Sequence, residues 1–293
     1  MLLYTPVFGG IKMGLEFEKE KFGLEIEFSN ARSDKVIKEL NRIPKNKEEK
    51  YNKWEYTTET FSEKKKDIIY GGEVQSPILT NDKKSLNDLK YVLKKLKKHD
   101  AEIDGNQSMQ VRVSMDIFEK NTTYLKNFIK LYYAYEDIIY KFGFNGSTPR
   151  ESIVSFAKPC DYLLQTIIKA KLDMISFYSS INLINNLIRN KQYGLSFCDK
   201  DNPSMPSSFE FRMFNGTLDY NTILNLINMS VCLTLNSKEE LDTEKINYRI
   251  EESKNKSIGY FDSVKEDKAL EFAKTIFKED SSIDSFMYQY KKR

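Results

Sequence analysis

Carboxylates stand at alternate positions in two runs within the segment Gly14–Phe28, which reads GLEFEKEKFGLEIEF. The pattern Gly-Leu-Glu-x-Glu occurs in it twice. Side chains of an extended chain alternate between two faces, so Glu25 and Glu27 share one face and the apolar residues around them share the other. Such a pair is either the solvated side of an amphipathic strand or half of a metal site. The residues on the polar faces of the other strands indicate which of these two interpretations applies.

Three further segments alternate in the same way, each with one wholly apolar face. They are GGEVQ, SMQVRVSM and FEFRMF, and their opposite faces bear acids, amides or arginines in place of the lysines abundant elsewhere. These polar residues are Glu73 and Gln75, then Gln110, Arg112 and Ser114, then Glu210 and Arg212.

If the four strands are neighbours, their polar faces form one surface with four carboxylates and two arginines. Carboxylates held close together repel each other and have raised pKa values unless cations neutralise them. Mg²⁺ is the natural cation, since it prefers oxygen ligands, and arginines beside it suit phosphate. The pattern therefore favours a nucleotide and metal site on an open sheet over its alternative, a salt-bridged sheet surface.

The periodicity along the chain predicts an α+β fold, with a mostly antiparallel sheet, helices packed on one face and an open polar face. We expect one domain over residues 1–293, with a helical insertion at about 120–191 and a charged irregular region at about 237–262. The predicted strands are Phe22–Phe28, Asp67–Gln75, Met109–Met115, Tyr193–Cys198 and Phe209–Phe214. The predicted helices are Lys84–His99, a helix from Asn121 and Thr122 to Gly143, one or two over Asp161–Lys191, one from near Asp219, and Lys265–Glu279.

Composition excludes several classes of protein. The 46 basic and 43 acidic residues leave a net charge of only +3, which argues against a nucleic-acid binder. Three scattered cysteines, Cys160, Cys198 and Cys232, indicate reduced thiols. His99 is the only histidine, so a histidine-based zinc site is ruled out.

We predict a cytoplasmic protein without membrane contact. The first residues, MLLYTPVFGGIKMG, lack the basic start and apolar run of a signal peptide. The most apolar long segment, Tyr162–Ile188, is interrupted by lysine, aspartate and asparagine and is not expected to cross a bilayer.

Five motifs in order make the chain resemble the amidoligases of the glutamine synthetase and glutamate–cysteine ligase superfamily. The last is the most specific, and together they cover about residues 21–235. They are FGLEIEF from Phe22, GGEVQSPIL from Gly71, DGNQSMQVRVSMD from Asp104, YGLSF from Tyr193, and FEFRMFNGTLDYNTI from Phe209.

The resemblance implies a glutamine synthetase-like catalytic domain that uses ATP and Mg²⁺ to join a carboxylate to an amine through an acyl phosphate. The implied substrates are small molecules, amino acids or peptides, and the chain could form a homo-oligomer as related synthetases often do. The implied metal ligands are Glu25, Glu27, Glu73 and Glu210. The implied catalytic residues are Arg212, Arg112 and Glu210, and the implied cofactor-binding residues are Arg212, Arg112, Gln110 and Arg150.

One departure from the family concerns its His-x-His pair, whose positions hold Gln110 and Arg112 here. Arginine binds phosphate but never a metal. Either fewer ions bind and Arg112 supplies charge instead, or part of the chemistry is lost. Weaker matches are Trp54 with Glu59, where the family has an aspartate, and Tyr135 with Glu136. Only the second Gly-Leu-Glu-x-Glu copy fits the family, so we expect Glu16 and Glu18 to be solvated, with their segment as a hairpin partner.

Two other functions compete with the ligase. A metal-dependent nuclease also clusters acids with basic residues, but Gln75 stands where restriction-type sites want a lysine. A non-catalytic family member that binds a peptide or nucleotide would account for Gln110 and Arg112. The chain has no Gly-x-x-x-x-Gly-Lys-Ser/Thr loop, so a P-loop mechanism is not expected.

Overall fold

A seven-stranded antiparallel sheet forms the centre of the computed structural model, which describes residues 7–8, 11–12, 14–44, 52–170, 172, 175–187, 192–197, 207–253 and 265–292. The strand order is β4-β6-β3-β7-β9-β8, and β5 pairs with β6. The strands β1 and β2 form a separate hairpin. The strands are β1 Val7–Phe8, β2 Ile11–Lys12, β3 Phe22–Arg32, β4 Glu55–Thr57, β5 Glu63–Lys65, β6 Ile68–Gln75, β7 Ser108–Ser114, β8 Leu195–Ser196 and β9 Ser208–Asn215.

Several helices pack against the apolar face of this sheet, which confirms the predicted α+β architecture. Helix α8 contacts β7, and helix α4 contacts β9. The helices are α1 Ser33–Leu40, α2 Lys83–Lys98, α3 Thr122–Ala134, α4 Glu136–Phe144, α5 Ile153–Phe156, α6 Asp161–Lys169, α7 Phe177–Leu187, α8 Tyr220–Asn236, α9 Thr243–Glu252, α10 Glu266–Ile276 and α11 Asp280–Tyr290.

The apolar faces of the strands are buried as their alternation predicts. Phe209 and Phe211 on β9 are fully buried, and Phe209 stacks on Phe118 and Phe197. The same burial holds for the apolar residues of β3 and β7. Because one face of each strand is committed to this core, the register of the sheet is well specified and the polar residues must share the opposite face.

Several sequence predictions were wrong or incomplete. Residues 14–21 form no strand, so the expected hairpin partner of β3 is absent, and Glu16 accepts hydrogen bonds from the amides of Lys278 and Glu279. The region expected to be irregular contains α9, in which Ile246 and Ile250 are buried one turn apart beneath a charged surface. Residues 188–191, 198–200 and 254–264 lie outside the described part of the chain, as do most of the first thirteen.

Gly72 allows β4 and β6 to approach closely. Its φ is +145°, and a β-carbon there would lie 2.7 Å from the carbonyl oxygen of Thr57 and 2.6 Å from the ring of Tyr56. We expect Gly72→Ala to lower the free energy of unfolding by about 1–3 kcal/mol from backbone strain alone. Urea unfolding measures this, with Gly14→Ala as the control because a β-carbon there meets no atom within 4 Å. Equal stability of the two variants would contradict the prediction.

Glu271 on α10 ties the C-terminal helices to α3 and α9. Its carboxylate accepts two hydrogen bonds from Arg249, at 3.0 and 2.8 Å, and one from the Tyr135 hydroxyl at 2.6 Å. The hydrogen bond from Arg249 lowers the pKa of Glu271 to about 2 despite partial burial. A carboxylate with a lowered pKa stabilises the fold above its unfolded pKa, and this stabilisation is lost as the pH falls towards 2.

We therefore expect Glu271→Gln to lower the free energy of unfolding at pH 7 by about 1 kcal/mol. The difference from the parent protein should shrink as the pH is lowered from about 4.5 towards 2. Urea unfolding across this pH range tests it. Glu244→Gln, on the exposed side of α9, is the control and should cost less at every pH. A pH-independent difference for Glu271→Gln would refute the electrostatic origin.

Candidate functional site

A cleft of about 1020 Å³ lies over the polar face of the sheet. Its volume is at the upper end of the range for small-molecule sites, which leaves room for more than one substrate. All eight residues predicted as the site line it, so the structure brings these side chains, distant in sequence, into one cleft. They are Glu25, Glu27, Glu73, Gln110, Arg112, Arg150, Glu210 and Arg212.

Strand pairing explains how the acids meet. The strand β3 lies between β6 and β7, and this places Glu27 opposite Glu73 on β6. Glu25 pairs with Gln75 on one side and Gln110 on the other. Residues that are directly opposite on one face of a sheet have β-carbons about 5 Å apart, so these side chains are within reach of one another.

Arginines neutralise the half of the cleft formed by β7 and β9. A single nitrogen of Arg112, Nη2, forms ion pairs with Oε1 of Glu25 and, at 2.9 Å, with Oε1 of Glu210. Nη1 of Arg212 donates to Oε2 of Glu210 at 2.7 Å and to Oε1 of Gln110. Glu25 and Glu210 are nearly inaccessible to solvent, so these ion pairs compensate for lost hydration.

Acids dominate the half of the cleft towards β6. Burial and then the neighbouring charge of Glu25 raise the pKa of Glu73 to about 9, with smaller contributions from Glu27 and Glu59. A hydrogen bond of 2.6 Å from Gln75 to Glu73 opposes this shift. Neighbouring carboxylates that repel each other favour the binding of a cation, and a bound cation would restore the ionised form of Glu73.

Arg150 lines the cleft but also holds β9 in place. Nη1 and Nη2 donate to the backbone carbonyls of Phe214 and Arg212 at 2.7 and 2.9 Å, and Nε donates to the Ser152 hydroxyl at 3.0 Å. Burial lowers its pKa to about 10, so it stays charged at neutral pH. Its structural role is therefore visible, whereas contact with a cofactor remains a prediction.

The carboxylates of the cleft suit only one mode of Mg²⁺ binding. Within the described ranges, no three Asp, Glu, Cys or His side chains lie close enough together to enclose a metal. Mg²⁺ does not need such a cage, since it is usually held by one or two carboxylates, water and substrate phosphates. Glu27 and Glu73, opposite each other, fit this mode. Glu210 fits it poorly, because guanidinium groups contact both of its carboxylate oxygens.

The weaker sequence matches divide between the cleft and the core. Glu59 lines the cleft, whereas Trp54 is buried in the hydrophobic core. Tyr135 and Glu136 lie away from the cleft in the helical layer, where Glu136 accepts a hydrogen bond of 2.8 Å from the amide of Cys160. Their similarity to the family's Tyr-Glu pair therefore does not mark cleft residues here.

Sequence reasoning missed the residues along the rim of the cleft. Glu55 and Thr57 on β4 line it, as do Phe61 and the exposed Phe156. The alternation of Trp54 and Tyr56 with Glu55 and Thr57 was the available signal. However, β4 has only three residues, which is too short for a strand to be identified from alternation. Phe156 has no comparable signal, because its place at the cleft depends on the position of α5.

The remaining reactive side chains lie elsewhere. His99 is close to Glu39, with 3.5 Å between Nε2 and Oε1, and Cys160 and Cys232 are buried free thiols. The third cysteine, Cys198, is outside the described residues. In the part of the chain that the structure describes, no helix is long and apolar enough to cross a membrane.

Comparison with known proteins identifies one family. A family model described as a putative amidoligase enzyme matches residues 18–234, which is more than half of the chain. The match spans β3 to β9 and includes every strand that forms the floor of the cleft. No curated protein matches the chain.

Proposed function

Because the chain belongs to the amidoligase family, we propose that it is an ATP-dependent ligase that joins a carboxylate to an amine through an acyl phosphate. A carboxylate oxygen of the substrate attacks the γ-phosphorus of ATP, and ADP leaves. The amine nitrogen then attacks the carbonyl carbon, phosphate leaves, and one amine proton is released. Both steps move negative charge between phosphate and carboxylate oxygens. The main tasks of the protein are therefore to position the substrates and to neutralise this negative charge.

The convergence of acids and arginines in one cleft carries this proposal. An ordinary sheet surface would expose such residues to water, whereas Glu25, Glu73 and Glu210 are each at least 95% buried. Burying several charges is costly unless they are paired, and residues kept in this state are frequently functional. The glutamine synthetase-like arrangement of the site is part of the proposal.

We assign Arg212 to the transferred phosphoryl group. Its Nη1 is held by Glu210 and Gln110, which fixes the guanidinium plane. Its Nε lies buried without a hydrogen-bond partner among the described residues, and the residue itself lines the cleft. Fixed donors aimed at developing charge are the strongest contribution to such reactions.

Glu27 and Glu73, with Glu25 beside them, would hold Mg²⁺. The ion, when bound, would neutralise charge on the phosphates and offset the repulsion between these acids. The acids on this side also suit the positively charged form of an amine before it loses its proton. The proposed substrates are therefore an amino acid or peptide carboxylate and a small amine.

A second candidate is a family member that binds a nucleotide or peptide without turnover. The ion pairs of Arg112 with Glu25 and Glu210 favour it, because they occupy acids that a catalytic metal would otherwise use. In its nucleotide-binding form, this candidate predicts ATP binding without ADP release under all substrate conditions.

The test is a screen for ADP release from ATP and Mg²⁺ with paired amino acids, peptides and amines, and mass spectrometry to identify the amide. The ligase predicts ADP and amide in equal amounts. It predicts no ADP when the carboxylate is omitted, and at most one ADP per chain when the amine is omitted. Measurable ATP binding with no amide across the panel would favour the non-catalytic candidate. Absence of ATP binding would contradict the ligase and would leave only the peptide-binding form of the second candidate.

A further inference from the structure

Arg112 lies between two acids that belong to different strands. It stands on β7, opposite Glu210 on β9 and opposite Gly23 on β3. A β-carbon on Gly23 would lie 3.6 Å from Cβ and 3.9 Å from Cδ of Arg112, so the arginine stem runs over the space that a larger residue would fill. This path brings the guanidinium to Glu25, two residues along β3 from Gly23.

The guanidinium holds the position that a bridging cation would need. One nitrogen contacts a carboxylate oxygen of Glu25 and a carboxylate oxygen of Glu210, and the second oxygen of Glu210 is taken by Arg212. A divalent ion between Glu25 and Glu210 would have to displace this group. Arginine cannot ligate the ion and does not lose its own charge at any working pH.

We propose that Arg112 is the resident cation between Glu25 and Glu210 and that no divalent ion binds there. This inference rests on the proposed function only in taking the cleft to bind divalent cations. The cleft would then hold one metal ion fewer than a cleft with a divalent ion between Glu25 and Glu210. Part of the positive charge near the phosphates would be the permanent charge of Arg112, which a chelator cannot remove. Glu210 then positions Arg112 and Arg212 and is not a metal ligand.

Counting Mn²⁺ ions tests this without any substrate or turnover. Free Mn²⁺ is measured by electron paramagnetic resonance as the ion is titrated into the parent protein, Arg112→His and Lys21→Met. The histidine variant vacates the space and supplies a ligand, so it should bind one more ion per chain than the parent. Lys21→Met removes the same charge from an exposed residue that lines the cleft, and should bind as many ions as the parent.

An unchanged ion count in folded Arg112→His would overturn the proposal, and so would a gain of the same size in Lys21→Met, because charge alone would then explain it. If Arg112→His does not fold, Glu210→Gln in the otherwise unchanged protein tests whether a divalent ion binds between Glu25 and Glu210. It should bind as many Mn²⁺ ions as the parent, and the loss of one ion would show that Glu210 is a ligand. A protein without ligase activity leaves all of these counts meaningful.

Discussion

Glu25→Gln should lower the rate of ADP release by about 10²-fold or more while the protein remains folded. Glu25 lies on the central strand of the cleft floor, forms an ion pair with Arg112 and is among the acids that raise the pKa of Glu73. The amide keeps the shape of the side chain but removes its charge. Arg112 would lose one of its two carboxylate partners, and the proposed Mg²⁺ position would lose a neighbouring negative charge.

The rate is measured as ADP formed with the substrate pair that the screen identifies. Glu18→Gln is the matched control, since it makes the same change in the other Gly-Leu-Glu-x-Glu copy. Glu18 is exposed and does not line the cleft, so its replacement should leave the rate within about twofold of the parent. If Glu25→Gln and Glu18→Gln proteins were equally active, Glu25 would have no part in the reaction.

Arg212→Lys should lower the rate of ADP release by about 10²–10³-fold. Lysine keeps the charge, but its ammonium group cannot contact Gln110 and Glu210 as the planar guanidinium does and also bind a phosphate in the same plane. The loss should fall mainly on kcat, because the contact is proposed to strengthen in the transition state.

Arg32→Lys provides the control for this change. Arg32 ends β3, away from the cleft, and makes a two-pronged contact with Asp34, at 3.0 Å for both hydrogen bonds. The same substitution there should not affect ADP release. A kcat of Arg212→Lys within a few-fold of the parent value would contradict the assignment of Arg212 to the phosphoryl group.

Much of the sheet could be predicted from the local alternation of apolar and polar residues, and the strands that this prediction missed have a physical reason. The strands β3, β6, β7 and β9 are long enough for alternation to be read, and their apolar faces are buried as expected. The strands β4 and β5 have three residues each, and all three residues of β5 are exposed. Such short edge strands owe their conformation to pairing with β6, which a local pattern does not contain.

The helical errors have a related cause. The predicted helix from Asn121 to Gly143 is divided at Tyr135 into α3 and α4. Tyr135 is not helical, and its hydroxyl donates a hydrogen bond to Glu271 on α10. The helix α9 was hidden by its charges, because only Ile246 and Ile250 face the core. In both places the intrinsic helix propensity of the local sequence is a weak signal, and tertiary contacts decide the conformation.

The sequence by itself determined which side chains face the core and which face the cleft. Alternation with a period of two is a local property of each strand, and the burial of one face allows no other register. It therefore identified the acids and arginines of the floor, and with them the family.

Only the tertiary structure decided which of these residues are neighbours. Strand order depends on pairing between segments far apart in the chain, and it placed Arg112 between Glu25 and Glu210 while leaving Glu27 opposite Glu73. The division of the cleft into a half neutralised by arginines and a half rich in acids follows from this order. The pKa of Glu73 and the number of ions that the cleft can hold depend on distances that no single strand contains.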